Sequence, residues 1–221
     1  GAGTDTKTVS ITGDGTNTIV VADTAATLTI DASASTGTNV FAVTNTVTSS
    51  DVIKGGSGLD VVALKMTDAT GVSFTGIEAI QITAGSSSGK VLSFAANPAA
   101  AVVVRDADDS DVFRLTNAWA TDVTFEGAAA SGDLKGLGAP TNDVVFGTLQ
   151  LDTAHSGAAD AMNVNLSNQG VNATTGYTAT VKASGVETVN LVQSDIIATN
   201  TTTFTLNNPG LTTFTASSDG N

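Results

Sequence analysis

Cysteine is absent from the 221 residues, histidine occurs once, and there are only three prolines, one tryptophan and one tyrosine. Without thiols, neither disulfides nor thiolate zinc sites can staple the fold, and the redox compartment cannot be read. The lone His155 and the lack of any H-E-x-x-H pair weigh against zinc hydrolysis. Basic residues number 8 against 21 acidic ones, a net charge of −13, and such a surface repels phosphate backbones and anionic membranes. Nucleic acid is therefore not an expected partner. No apolar run approaches the roughly 20 residues that cross a bilayer, so no membrane span is expected. The chain opens on Gly1 with neither an initiator Met nor a signal peptide, and reads as a fragment or processed product.

What is present points to β structure. Hydrophobic residues make up 41% but charged ones only 13%, so the polar surface must come mainly from Thr, Ser and Asn. Thr suits strands, while the helix-favouring Glu, Lys, Arg and Gln are scarce. Short alternating or apolar runs recur at Thr8 to Ile11, Thr18 to Val21, Thr27 to Ile30, Val61 to Met66, Ala79 to Thr83, Ala101 to Val104, Val186 to Val192 and Thr202 to Leu206, with Gly, Ser, Asn and Asp between them. The expected fold is all-β, a right-handed parallel β-solenoid or β-helix-like stack, with β-sandwich modules as the alternative. Parallel stacking would let Thr, Asn and Val ladders run between coils and leave Gly/Asp corners for a cation. Ala-rich pieces near Ala95 to Ala101 and Ala128 to Ala130 carry no amphipathic stripe with caps and are weak helix candidates.

The segment from Gly76 resembles that from Gly185: Gly76 matches Gly185, Glu78 matches Glu187, and Asn97-Pro98 matches Asn208-Pro209. This suggests two related β modules, 1–110 and 111–221, or one continuous elongated domain. The Glu of each Gly-[Ile/Val]-Glu-x-[Ile/Val] core reads as an outward strand residue or a turn anchor, a structural job repeated in each unit.

The sharpest motif is Gly55-Gly56-Ser57-Gly58-Leu59-Asp60-Val61-Val62-Ala63, which meets every fixed position of the calcium pattern G-G-x-G-x-D-x-U-x. Its glycines permit a tight turn that exposes carbonyls, Asp60 brings a carboxylate, and the apolar residue two places on anchors a strand. Gly56, Gly58 and Asp60 are thus candidate Ca²⁺ ligands, with a plain Gly-rich turn as the alternative. Asp51, nine residues before Asp60, repeats the Asp-x-apolar ending, so one calcium could lie between adjacent turns. Asp5 closes a truncated copy of the motif, and Gly13 to Ile19 echoes it with Asn17 where the Asp would stand. Asp106, Asp108, Asp109 and Asp111 form a second concentration of carboxylates. Their mutual repulsion would favour a cation among them, and a solvated acidic turn is the other reading. The sequence lacks the position-6 Gly and closing Glu of an EF-hand there. Asp133, Asp143, Asp152 and Asp160 are weaker ligand candidates, each near Gly, Ser or Ala turns, and read more readily as turn or cap residues.

These residues together resemble the RTX family of proteins secreted by type I systems, and most closely its surface-layer branch of the Caulobacter type. The carriers are GGSGLDVVA at 55–63, the two Gly-[Ile/Val]-Glu strands, the Ser/Thr-rich linking strands and the absence of Cys. The resemblance implies a secreted, extracellular structural protein at the cell surface, calcium as cofactor, and copies of itself in a lattice or filament as partners, with cell-surface polysaccharide a further partner. No tandem nonapeptide array is present, so scattered calcium sites are expected in place of a long RTX roll. An RTX-type adhesin or biofilm-matrix segment is the runner-up. An enzyme is not expected: Gly85 to Gly89 matches G-x-S-x-G only within a serine run that no helix pattern follows, and carbohydrate cleavage by paired carboxylates lacks the usual aromatic cleft. Trp119 reads equally as an exposed contact or as buried under a loop.

Overall fold

A computed structural model describes residues 6–21, 27–44, 47–65, 69–83, 90–96, 101–105, 112–116, 118, 120–126, 148–151, 157–168, 177–195 and 202–218. These residues form eighteen strands. They are β1 (Thr6–Gly13), β2 (Asn17–Val21), β3 (Thr27–Ser35), β4 (Asn39–Val43), β5 (Val52–Lys54), β6 (Asp60–Lys65), β7 (Ala69–Thr75), β8 (Ala79–Thr83) and β9 (Val91–Phe94), followed by β10 (Ala101–Arg105), β11 (Val112–Thr116), β12 (Asp122–Glu126), β13 (Thr148–Leu151), β14 (Ala161–Asn168), β15 (Tyr177–Lys182), β16 (Thr188–Asp195), β17 (Thr202–Asn207) and β18 (Thr213–Ser218). Odd-numbered strands make one nine-stranded sheet and even-numbered strands the other, each in chain order. Every pairing is parallel.

The architecture is the β-solenoid expected from the short strands and frequent turns. The chain runs up one sheet, turns a corner, runs along the other, and returns one strand spacing higher. No helix occurs among the described residues, and none is long and apolar enough to cross a membrane. Both sheets run without a break past residue 110, since β8 pairs with β10 and β10 with β12, while β9 pairs with β11. The repeat between the Gly76 and Gly185 segments is therefore a recurrence between coils of one stack.

Side-chain alternation fills the space between the sheets. Inward columns run in register along the even sheet, for example Phe41, Val62, Ile80, Val102, Val123 and Val164, all of them part of one core. The odd sheet supplies Ile30, Ile53, Phe74, Leu92, Leu115 and Leu149. Phe74 and Phe94 stack obliquely, with ring centroids 5.7 Å apart. In β4 and β6 the outward positions other than Lys65 are buried as well: Val40, Ala42, Val61 and Ala63 are covered yet lie outside that core. This explains why the 61–64 run is continuously apolar and not alternating, the pattern of a parallel strand buried on both faces.

Because Phe41 is wholly buried in the core, Phe41→Ala is expected to lower the unfolding free energy by about 3–5 kcal/mol. Val20→Ala, at a position 57% exposed, should change it by less than about 0.5 kcal/mol. Urea denaturation of the two variants checks the pair.

Candidate functional site

The site assembled from the sequence motif lies at the corner leading from β5 into β6. Its glycines are needed for stacking. A Cβ on Gly58 would collide with the carbonyl oxygen of Gly37, one on Gly37 with that of Gly15, and one on Gly56 with that of Ser35. Each of these carbonyls thus presses against the α-carbon of the next coil, where only a hydrogen leaves room. A Cβ on Gly55 would likewise meet the carbonyl of Gly76.

Asp60 is fully buried at this corner. Its Oδ1 accepts from Asn39 Nδ2 at 2.6 Å and its Oδ2 from the Gly56 backbone N–H at 2.6 Å. Asn39, also fully buried, points Oδ1 back to the preceding coil, where Asn17 Nδ2 donates to it at 2.9 Å. The register Asn17, Asn39, Asp60 puts all three side chains in one column. Asn17, read from the sequence as standing in an Asp position, is the first rung. Asn39 is a rung that the motif pattern misses, although Gly37-Thr38-Asn39-Val40-Phe41 has the same Gly-x-[Asn/Asp]-x-apolar shape.

The column continues through the backbone. The Asp60 N–H donates to Glu78 Oε2 at 2.6 Å, and the Glu78 N–H returns a bond to the Asp60 carbonyl at 2.9 Å. The same constellation occurs at the corner entering β14. Gly157 N–H donates to Asp160 Oδ2 at 2.7 Å, Asp160 N–H donates to Glu187 Oε2 at 2.7 Å, and Glu187 N–H donates to the Asp160 carbonyl at 3.0 Å. Glu78 and Glu187 are turn anchors, which decides between the two readings of the Gly-[Ile/Val]-Glu motif. Gly76 and Gly185 take φ of 61° and 74°, a region side chains resist, while Ile77 and Val186 plug the core. Asn208, matched in sequence to Asn97, donates to the Val186 carbonyl at 2.5 Å.

Asp51 is not brought to Asp60. It stands before β5, at the opposite corner, where its Oδ1 accepts from Leu28 N–H at 2.8 Å and its Oδ2 from Thr48 N–H at 2.7 Å. The arrangement of one calcium shared by Asp51 and Asp60 is therefore not formed, because β5 separates them and each carboxylate holds its own backbone donors. Asp31, outside the motif, accepts from Ser33 Oγ and Ser33 N–H, and these bonds, with Lys54 at 3.5 Å, hold its carboxyl below the ordinary aspartate range.

A second ladder lies on the outer face of the even sheet. Asn163 donates to Asp122 at 2.9 Å, Asn190 to Asn163 at 3.1 Å, and Thr215 to Asn190 at 2.6 Å. This is the Asn/Thr laddering expected of parallel stacking. Of the remaining candidates, Asp5, Asp106, Asp108, Asp109 and Asp111 lie outside the described residues, as do Asp133, Asp143, Asp152, Trp119, His155 and the 85–89 serine run. Among the described residues, no three or more His, Cys, Asp or Glu side chains converge as a metal group would require.

Comparison of the chain with known protein families, curated proteins and solved structures returned no match.

Hydrogen bonds close the corner at Asp60, which is buried, and the corner at Asp160, which is half-buried. Removing the Glu78 carboxylate leaves the Asp60 N–H without its acceptor, so Glu78→Ala should lower stability by about 1–3 kcal/mol. Glu78→Gln, which keeps an acceptor oxygen, should lose less. Glu187→Ala should behave like Glu78→Ala, and chemical denaturation of the four proteins, wild type included, measures all three effects.

Proposed function

We propose that the chain is a rigid structural segment of an extracellular surface scaffold of the surface-layer type, in which copies associate into sheets or filaments. The observation that carries this reading is the unbroken pair of nine-stranded parallel sheets. At about 4.8 Å per strand step they make a stiff element roughly 40 Å along its axis. Among the described residues, its terminal strands each have a single neighbour within their sheet: β1 pairs with β3, β2 with β4, β17 with β15 and β18 with β16. A parallel edge offers unpaired backbone N–H and C=O groups to another chain. Phe214 of β18, 46% exposed, stacks on Phe204 of β17 in the opposite sheet, with ring centroids 6.3 Å apart, and adds apolar area at that end of the stack. The acidic surface, with its net charge of −13, suits a reading in which divalent cations reduce repulsion between copies.

Secretion by a type I route and placement at the cell surface belong to this reading through the RTX resemblance. Calcium enters it through the acidic stretch Asp106 to Asp111 and the motif at 55–63. The donors around Asp60 speak against the second of these.

The test is negative-stain microscopy and light scattering of the purified protein in EGTA and in millimolar calcium. Ordered sheets or filaments that appear with calcium are the expected outcome. A monodisperse species that binds polysaccharide and forms no array would favour the adhesin reading, and a species that does neither would contradict both.

A further inference from the structure

We infer that Asn39 stands where a cation would stand at the 55–60 corner, so that a sequence carrying the full calcium pattern closes here without an ion. This inference is independent of the scaffold reading. Three oxygens of different kinds converge on the Asn39 side-chain nitrogen: the Asp60 carboxylate at 2.6 Å, the Gly37 carbonyl at 3.2 Å and the Ser35 hydroxyl at 3.2 Å. Carboxylate, carbonyl and hydroxyl oxygens around one point are the ligand types a hard divalent cation gathers. Here the point is filled by an NH₂ group whose two hydrogens carry the partial positive charge.

The orientation of that amide is fixed twice over. Turned the other way, Asn39 would set its oxygen against the Asp60 carboxylate, two acceptors in contact. It would also present a donor to the donating amide of Asn17, which now holds Oδ1 at 2.9 Å. Asn17 is thus a positioning residue for Asn39. Ser35, itself buried, is tied to the Gly13 carbonyl through its hydroxyl at 3.0 Å, so the oxygen cage is rigid on that side. The other Asp60 oxygen is taken by Gly56 N–H. A cation placed beside this carboxylate would face N–H donors on both of its oxygens, and the Gly37 carbonyl, already accepting from Asn39, lies against the α-carbon of Gly58. The residues present do not fit calcium as they are arranged.

The decisive substitution is Asn39→Asp, which replaces the amide with a second buried carboxylate and converts the cage into an all-oxygen one. In EGTA this variant is expected to melt well below the wild type, or not to fold. Saturating calcium should raise its melting temperature on the order of 5–10 °C more than it raises that of the wild type. Equal stability to wild type in EGTA, with no added calcium response, overturns the inference. A direct reading on the wild type keeps the test independent of that variant. The side-chain NH₂ signals of Asn39, assigned by their proximity to Gly37 and Ser35, should hold their positions from EGTA to millimolar calcium. A saturable shift or loss of those signals on adding calcium means that an ion displaces the amide, and contradicts the inference.

Discussion

Everything in this structure depends on keeping parallel strands in register while the chain turns a corner between the two sheets. The strands themselves are undemanding: alternating apolar residues face inward, and each backbone pairs with the coil above and below. Corners are harder, because there the backbone leaves one sheet before joining the next and its polar groups risk burial without partners, at a cost of about 1–3 kcal/mol each. The chain meets this with side chains that reach from coil to coil. Asn17, Asn39 and Asp60 hand hydrogen bonds along one column, and Glu78 and Glu187 each accept the backbone N–H of an aspartate in the preceding coil. A buried carboxylate such as Asp60 is tolerable because its oxygens accept charge-assisted bonds, which are stronger than neutral ones.

Glycine sets how tightly the corners stack. At Gly37 and Gly58 a carbonyl of the preceding coil occupies the space a side chain would need. The spacing of these glycines is thus a packing requirement of the solenoid before it is a metal motif. In the proposed reading, the Gly-x-Gly-x-Asp string closes by hydrogen bonds because of the residue one coil earlier. Here that residue is an amide.

Much of the fold was legible in the sequence, because β-branched and apolar runs bounded by Gly, Ser and Asn mark short strands wherever side chains alternate. Ala79 to Thr83 coincides with β8, and the runs at 18–21, 27–30 and 202–206 fall inside β2, β3 and β17. Strands such as β5 and β13 were not singled out, since three or four residues are too few to show a period. The corner column was half legible. Asn17 and Asp60 stood out by motif, whereas Asn39 follows no double glycine and its Ser35-Thr36-Gly37 approach looks like any polar turn. That Asp51 belongs to the opposite corner could not be read from spacing, because a three-residue strand between two turns is invisible without the pairing of Lys54 with Asp31 and Thr75.

Hydrogen bonds from coil to coil should close these corners as firmly as backbone pairing holds the strands. Amide hydrogen exchange in chelator, read residue by residue, tests it most directly. If the corners are held in this way, the N–H groups of Gly56, Asp60, Glu78, Gly157 and Asp160 exchange as slowly as those of Val62 and Ile80 in the core strands. Fast exchange at those corner amides beside protected strands would contradict it.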